Sequence, residues 1–234
     1  MILPLVLLPA LLCDDELYRA QAADVADLAD PIVLSSPAAS LAEGARDVLR
    51  RAPDRFALAG TSAGGNLALE VVATAPARVA GLWLMGCNPG AHPDPDGAGR
   101  LSERARTGEF DAVVEEMAAL AVHAGGPRAR EAADALRRMA RRFGPEAFAR
   151  VNDSLRSRAA RWETLDALRC PTLLLWGRQD QFAGVERANA IAARVPSARL
   201  VVLEDCGHLP PLEQPDAATR AAREWLRTIG ESGR

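Results

Sequence analysis

Phe56-Ala57-Leu58-Ala59-Gly60-Thr61-Ser62-Ala63-Gly64-Gly65-Asn66-Leu67-Ala68-Leu69 decides the reading of this 234-residue chain. A short apolar run, a G-x-S-x-G pentapeptide and an apolar-periodic segment predict a strand, a sharp turn and a helix. Such a turn holds its central residue in a strained backbone conformation. The residues two before and two after it must be small if strand and helix are to approach, and Gly60 and Gly64 meet that need. The hydroxyl of Ser62 then points out from the top of a sheet, above a helix start whose amides face an anion. A pentapeptide with three fixed positions recurs by chance. The flanking strand and helix are what make Ser62 a candidate nucleophile.

A serine nucleophile needs a base and an acid, expected in the chain order serine, acid, histidine. Leu173-Leu174-Leu175-Trp176 reads as a buried strand and runs into Gly177-Arg178-Gln179-Asp180. Leu200-Val201-Val202-Leu203 reads as another and runs into Glu204-Asp205-Cys206-Gly207-His208. Asp180 and His208 thus both fall just past carboxyl ends of strands, the edge at which open α/β sheets gather ligands. Of the three histidines, His92 lies in a Pro/Gly/Asp loop and His123 in a helical region, which leaves His208 as the base. Glu204 and Asp205 are alternative acids, but they share a short loop with His208. Asp180 comes from a neighbouring strand and can approach the far side of the ring.

Short apolar runs alternate with helical patterns along the chain. Strands are predicted over residues 3–8, 31–34, 55–59, 81–85, 172–176 and 199–203. Helices are predicted over 16–26, 41–51, 64–75, 185–194 and 216–227. This alternation implies an α/β architecture, a mostly parallel sheet of about six strands flanked by helices. Residues 88–169 break the pattern: after a Pro/Gly/Asp loop they read as four helices, 100–107, 109–121, 128–142 and 145–157.

Composition narrows the function. A formal net charge of −3 gives no footprint for nucleic acid. An aromatic content of 4% argues against a stacking platform for bases or polysaccharide. All 28 basic residues are Arg, which excludes a lysine Schiff base, a Ser-Lys dyad and a P-loop lysine. Cys13, Cys87, Cys170 and Cys206 match no zinc or C-x-x-C spacing and read as reduced thiols. The apolar start has no basic n-region and is interrupted by Pro4 and Pro9, so a first strand is expected there rather than a signal peptide. No segment is long and apolar enough to span a membrane. A cytoplasmic location follows as an expectation.

With these residues in view, the chain resembles an α/β-hydrolase over nearly its whole length. Leu7-Leu8-Pro9-Ala10-Leu11-Leu12-Cys13-Asp14, Gly60 to Gly65, Gly177 to Asp180 and Cys206-Gly207-His208-Leu209-Pro210-Pro211-Leu212-Glu213-Gln214-Pro215 carry the resemblance. The last segment is similar to small carboxylesterases such as the pimeloyl carrier-protein methyl ester esterases. The resemblance implies a core of residues 1–87 and 170–234, a sheet reduced at its N-terminal part, and a helical cap, 88–169, inserted after the fourth predicted strand. It also implies an oxyanion hole from the backbone N–H groups of Leu11 and Ala63. Two departures bear on substrate preference: Thr61 and Ala63 stand where His and Met are common, and Ala10 where Gly is.

The expected function is a serine carboxylesterase acting on small-to-medium acyl esters, with no metal or organic cofactor. Val113, Val114, Met117, Leu120 and Phe148 are candidates for the acyl-pocket wall, with Cys13, Cys87 and Leu209 as further substrate-binding candidates. Residues 128–161 hold ten Arg against four acidic residues, a candidate docking surface for an acidic acyl carrier protein or an acyl carboxylate. Two other classes stay open: the same triad acting on a lactone, thioester, amide or C–C bond, and a non-catalytic binding protein on a hydrolase scaffold.

Overall fold

The computed structural model describes residues 2–232. Its six strands, β1 (Leu3–Leu8), β2 (Ala29–Val33), β3 (Phe56–Thr61), β4 (Val79–Met85), β5 (Thr172–Gly177) and β6 (Ala198–Leu203), form one sheet in the order β2-β1-β3-β4-β5-β6. Every neighbouring pair is parallel. Parallel strands joined by crossover helices are covered on both faces, so their sequences read as continuous apolar runs instead of alternating ones. The two faces nevertheless divide by residue parity. Leu5, Leu7, Ala57, Ala59, Trp83, Met85, Leu173 and Leu175 enter one core. Val6, Leu8, Phe56, Leu58, Leu82, Leu84, Leu174 and Trp176 enter the other.

The helices outside residues 88–169 are α1 (Arg19–Asp24), α2 (Leu41–Arg51) and α3 (Ala63–Thr74) before them, and α9 (Val185–Ala192), α10 (Pro210–Glu213) and α11 (Pro215–Ser232) after them. The helix predicted over 16–26 is a 3₁₀ turn, Asp15–Tyr18, followed by the short α1. Asp14 caps that turn by accepting the Glu16 amide at 3.0 Å, and this local bond sets the tighter winding.

Between β4 and β5 lie α4 (Pro95–Arg104), α5 (Phe110–Ala121), α6 (Ala129–Phe143), α7 (Pro145–Arg156) and α8 (Trp162–Asp166), with no strand among them. A wide turn over Ala105–Glu109 joins α4 to α5, and Gly108 at φ +98° makes the kink. At the other end of the segment α8 is an extra helix beyond the four predicted.

Strand order reverses between β1, which pairs with β2 on one side, and β3 on the other. Ligands of open α/β sheets sit at such a reversal, outside the carboxyl ends of the strands. Leu8 pairs with Gly60, so β1 and β3 end level, and Gly177 pairs with Leu203, so β5 and β6 do as well. The loops carrying Leu11, Ser62, Asp180 and His208 therefore leave the sheet along one edge.

Candidate active site

Ser62 sits between β3 and α3 at φ +55°, ψ −114°. A non-glycine residue held there costs on the order of 1–3 kcal/mol, which the surrounding structure must supply. Part of the restraint is the Ser62 amide, which donates to Met85 O at 2.7 Å. The rest is close approach: a Cβ on Gly60 would overlap the Gly64 carbonyl, and one on Gly64 would overlap the Leu8 carbonyl. Gly65 is equally required, because its Cβ would fall 2.6 Å from Cys87 Cβ. Thr61 and Ala63 are buried on either side, whereas Ser62 itself is part-exposed.

His208 Nδ1 lies 2.9 and 2.8 Å from the two carboxylate oxygens of Asp180. Both side chains are buried. Asp180 is fixed in turn, since its Oδ1 accepts the amides of Phe182 at 2.8 Å and Ala183 at 2.9 Å. An acceptor on Nδ1 leaves the Nε2 side of the ring for a proton from elsewhere. The alternative acids are placed otherwise: Glu204 is exposed and pairs with Arg178, and Asp205 turns the chain at φ +52°.

Three residues that sequence reasoning did not single out hold this imidazole. Glu213, 1% exposed, accepts the amides of Gly207 at 2.8 Å and His123 at 2.9 Å on Oε2, and that of Leu209 at 2.9 Å on Oε1. Its carboxylate thus pins the residues on both sides of His208. Gly86, at φ +54°, directly follows β4 and lies beneath the ring. Phe182 stacks obliquely on the imidazole, with ring centroids 4.9 Å apart. The segment running from Gly207 to Pro215 was a visible signal for Glu213; nothing local marks Gly86 or Phe182.

A cavity of about 630 Å³ brings together Leu11, Ser62, Ala63, Met117, His208 and Leu209, along with Ala10, Gly86 and Phe182. Ala63 is the first residue of α3, so its amide lies in the helix's first turn, where no intrahelical acceptor exists. Leu11 lies in the loop after β1, just before Leu12 at φ +65°.

Several expected wall residues lie elsewhere. Val113, Val114 and Phe148 are core residues and do not line the cavity, with Phe148 against Phe110 at 5.9 Å. The apolar face of α5 is consumed by this packing, and only Met117 and Ala121 of that helix reach the cavity. Leu120 faces solvent at 42% exposure. Cys87 is buried under Gly65, and burial pushes its thiol up to about 12. Cys13 lines a separate cavity of about 310 Å³, which meets the first across Ala10 and Ala63. Burial raises the Cys13 and Cys206 thiols as well, so none of these three is a thiolate nucleophile at neutral pH. Thr61 does not touch the cavity either: its hydroxyl is 2.7 Å from the Tyr18 hydroxyl, inside the core.

His92, in the Pro/Gly/Asp loop and not chosen as the base, does line the cavity. Burial first, and then the charge of Arg158, hold its pKa below the ordinary value, so it is neutral at pH 7. Among the described residues no cluster of His, Cys, Asp and Glu could hold a metal ion, and no helix is long and apolar enough to cross a membrane.

Comparison with known proteins matches residues 8–222 to the alpha/beta hydrolase family. The pimeloyl-[acyl-carrier protein] methyl ester esterase of Aromatoleum aromaticum is 31% identical over 182 residues, covering 72% of this chain and 73% of that protein. A rat monoacylglycerol lipase, ABHD6, is 32% identical over 76 residues, which is 32% of this chain and only 23% of the lipase. Among solved structures, a thermophilic esterase from Thermogutta terrifontis superimposes with a TM-score of 0.89 at 28% identity, covering 97% of this chain and 90% of that one.

Proposed function

The chain belongs to the alpha/beta hydrolase family, and from that premise we propose that it is a serine carboxylesterase working through an acyl-enzyme intermediate. The observation that carries the proposal is the buried Asp180–His208 pair opening onto the same cavity as the strained, part-exposed Ser62. In this reading His208 Nε2 takes the Ser62 proton as Oγ attacks the ester carbonyl. Asp180 fixes the tautomer with the proton on Nδ1 and stabilises the imidazolium that forms. The amides of Leu11 and Ala63 receive the tetrahedral oxyanion, each worth about 3 kcal/mol in the transition state. His208 then returns its proton to the departing alcohol and activates the water that releases the acid. All the groups this chemistry needs are side chains and amides of the chain itself.

The helices between β4 and β5 serve as a cap in this proposal. They supply Met117, Ala121 and Leu136 to the cavity and limit the entry of water. Four unpaired cysteines favour a reducing compartment, and a cytoplasmic location is proposed on that ground. The experiment is hydrolysis of p-nitrophenyl esters from acetate to decanoate by the wild type and Ser62→Ala. Turnover abolished by the substitution, with a chain-length optimum that sizes the cavity, supports the reading. No turnover of any ester removes it.

A further inference from the structure

Arg158 lies two residues beyond α7 and lines the cavity that Ser62 and His208 share. Nε donates to Gly90 O at 3.0 Å and Nη1 to Leu155 O at 2.9 Å. These two main-chain acceptors hold the guanidinium plane in place without neutralising it. No carboxylate pairs with Arg158 among the described residues. Most of the neighbouring arginines do have acidic partners: Arg104 pairs with Glu109 and Glu116, Arg106 with Asp153, and Arg161 with Glu70. Arg158 is also the one among these that burial, with a like charge at Arg187, pushes down from the ordinary arginine value. The neighbouring His92 brings no negative charge, and the one acid on the cavity wall, Asp94, caps the Gly97 amide at 2.8 Å and faces Arg100.

A half-buried, oriented guanidinium without a counter-charge is a costly arrangement, and the remaining N–H groups suit a planar anion. We propose that Arg158 binds a carboxylate carried by the substrate, so that the site takes acid-bearing esters in preference to neutral ones. This deepens the esterase reading and rests on it. The apolar wall takes the chain of such a substrate, the carboxylate meets Arg158, and the ester carbonyl is presented to Ser62. Arg158 is a specificity residue in this scheme and takes no part in the proton transfers.

The test compares kcat/KM for two matched sets. One set is the monomethyl esters of C4 to C9 dicarboxylic acids against methyl esters of the monoacids of equal length. The other is O-butyryl glycolate against propyl butyrate, which moves the carboxylate to the alcohol side. In the wild type, one anionic series is expected to exceed its neutral match by at least about tenfold, chiefly through KM. Arg158→Met abolishes that ratio, and Arg158→Lys, which keeps the charge but not the fork, retains part of it. Absence of a preference in both sets, or a ratio that survives in Arg158→Met, overturns the proposal. If no ester of either kind is hydrolysed, it is the esterase reading that fails. Calorimetric binding of the free dicarboxylates then decides Arg158 separately. Binding lost in Arg158→Met and partly kept in Arg158→Lys supports the assignment; binding absent from the wild type, or equal in all three proteins, refutes it.

Discussion

A Cβ placed on Gly86 would stand 2.8 Å from both Nδ1 and Cε1 of His208. The carboxyl end of β4 is thus the floor on which the imidazole rests, and its left-handed φ of +54° turns the chain away before any side chain is needed. Gly86→Ala is predicted to lift the ring from Asp180. A misplacement of about 1 Å can cost roughly 100-fold in rate, so kcat should fall on that scale. The strained backbone adds a stability loss of about 1–2 kcal/mol. Ester kinetics and a thermal melt on the same preparation check both; an unchanged kcat would mean the ring does not rest on β4.

Glu213 is predicted to position His208 without touching substrate. Glu213→Gln keeps one acceptor oxygen and turns an NH₂ toward amides that can only donate. Leaving buried donors unmet costs about 1–3 kcal/mol of stability. Since the residues freed are those flanking His208, kcat should fall while KM stays close to the wild-type value. A variant that loses stability but keeps kcat would reduce Glu213 to a structural clamp.

The loop after β1 is tied to α6 by charge, and this tie should titrate. Arg142 donates to Asp14 at 2.7 Å and to Glu16 at 2.6 Å, and Arg138 donates to Glu16 at 2.7 Å. Partial burial raises both carboxyls, but the arginine hydrogen bonds outweigh it and the net shift is downward from 3.8 and 4.5. Groups depressed by folding contribute stability that is present above those ordinary values and lost as pH falls through the folded ones. Melting temperature should therefore decline below about pH 4.5 more steeply in the wild type than in Arg142→Gln. Parallel acid limbs in the two proteins would contradict this.

Fold and site were unequally legible. Strand ends predicted from apolar runs lie within two residues of the observed ends, because a strand covered on both faces needs an unbroken apolar stretch and Gly, Pro or Asp marks its close. Ser62, Asp180 and His208 could be nominated because each follows such a stretch. The cavity wall could not be read, because the periodicity that marks Val113, Val114 and Phe148 as inward does not say whether they face a core or a void. Nothing local marks Gly86, because its role is a backbone angle and a contact with a residue 122 positions away. The ion pairs of the arginine-rich stretch lay equally out of reach of local patterning, since the partners of Arg142 lie 126 and 128 residues earlier.

That pairing changes how a carrier-protein surface must be tested. Arg137 and Arg138 are engaged with Glu115 and Glu16, so reversing their charge would disturb the fold first. Arg128, Arg141 and Arg150 are exposed and outside the ion pairs. If an acidic acyl carrier protein docks there, reversing all three to Glu should raise KM for a carrier-bound methyl ester at least tenfold and flatten its salt dependence, with free-ester kinetics as the control. Equal kinetics on the carrier-bound ester would remove this partner.

Ser62 is proposed as a nucleophile activated by His208 and Asp180. Intact-mass measurement after exposure to a fluorophosphonate tests it most directly. One adduct per chain is expected in the wild type, mapped to Ser62, absent in Ser62→Ala and formed far more slowly in His208→Ala. An unlabelled wild type, or an adduct that persists in Ser62→Ala, would contradict it.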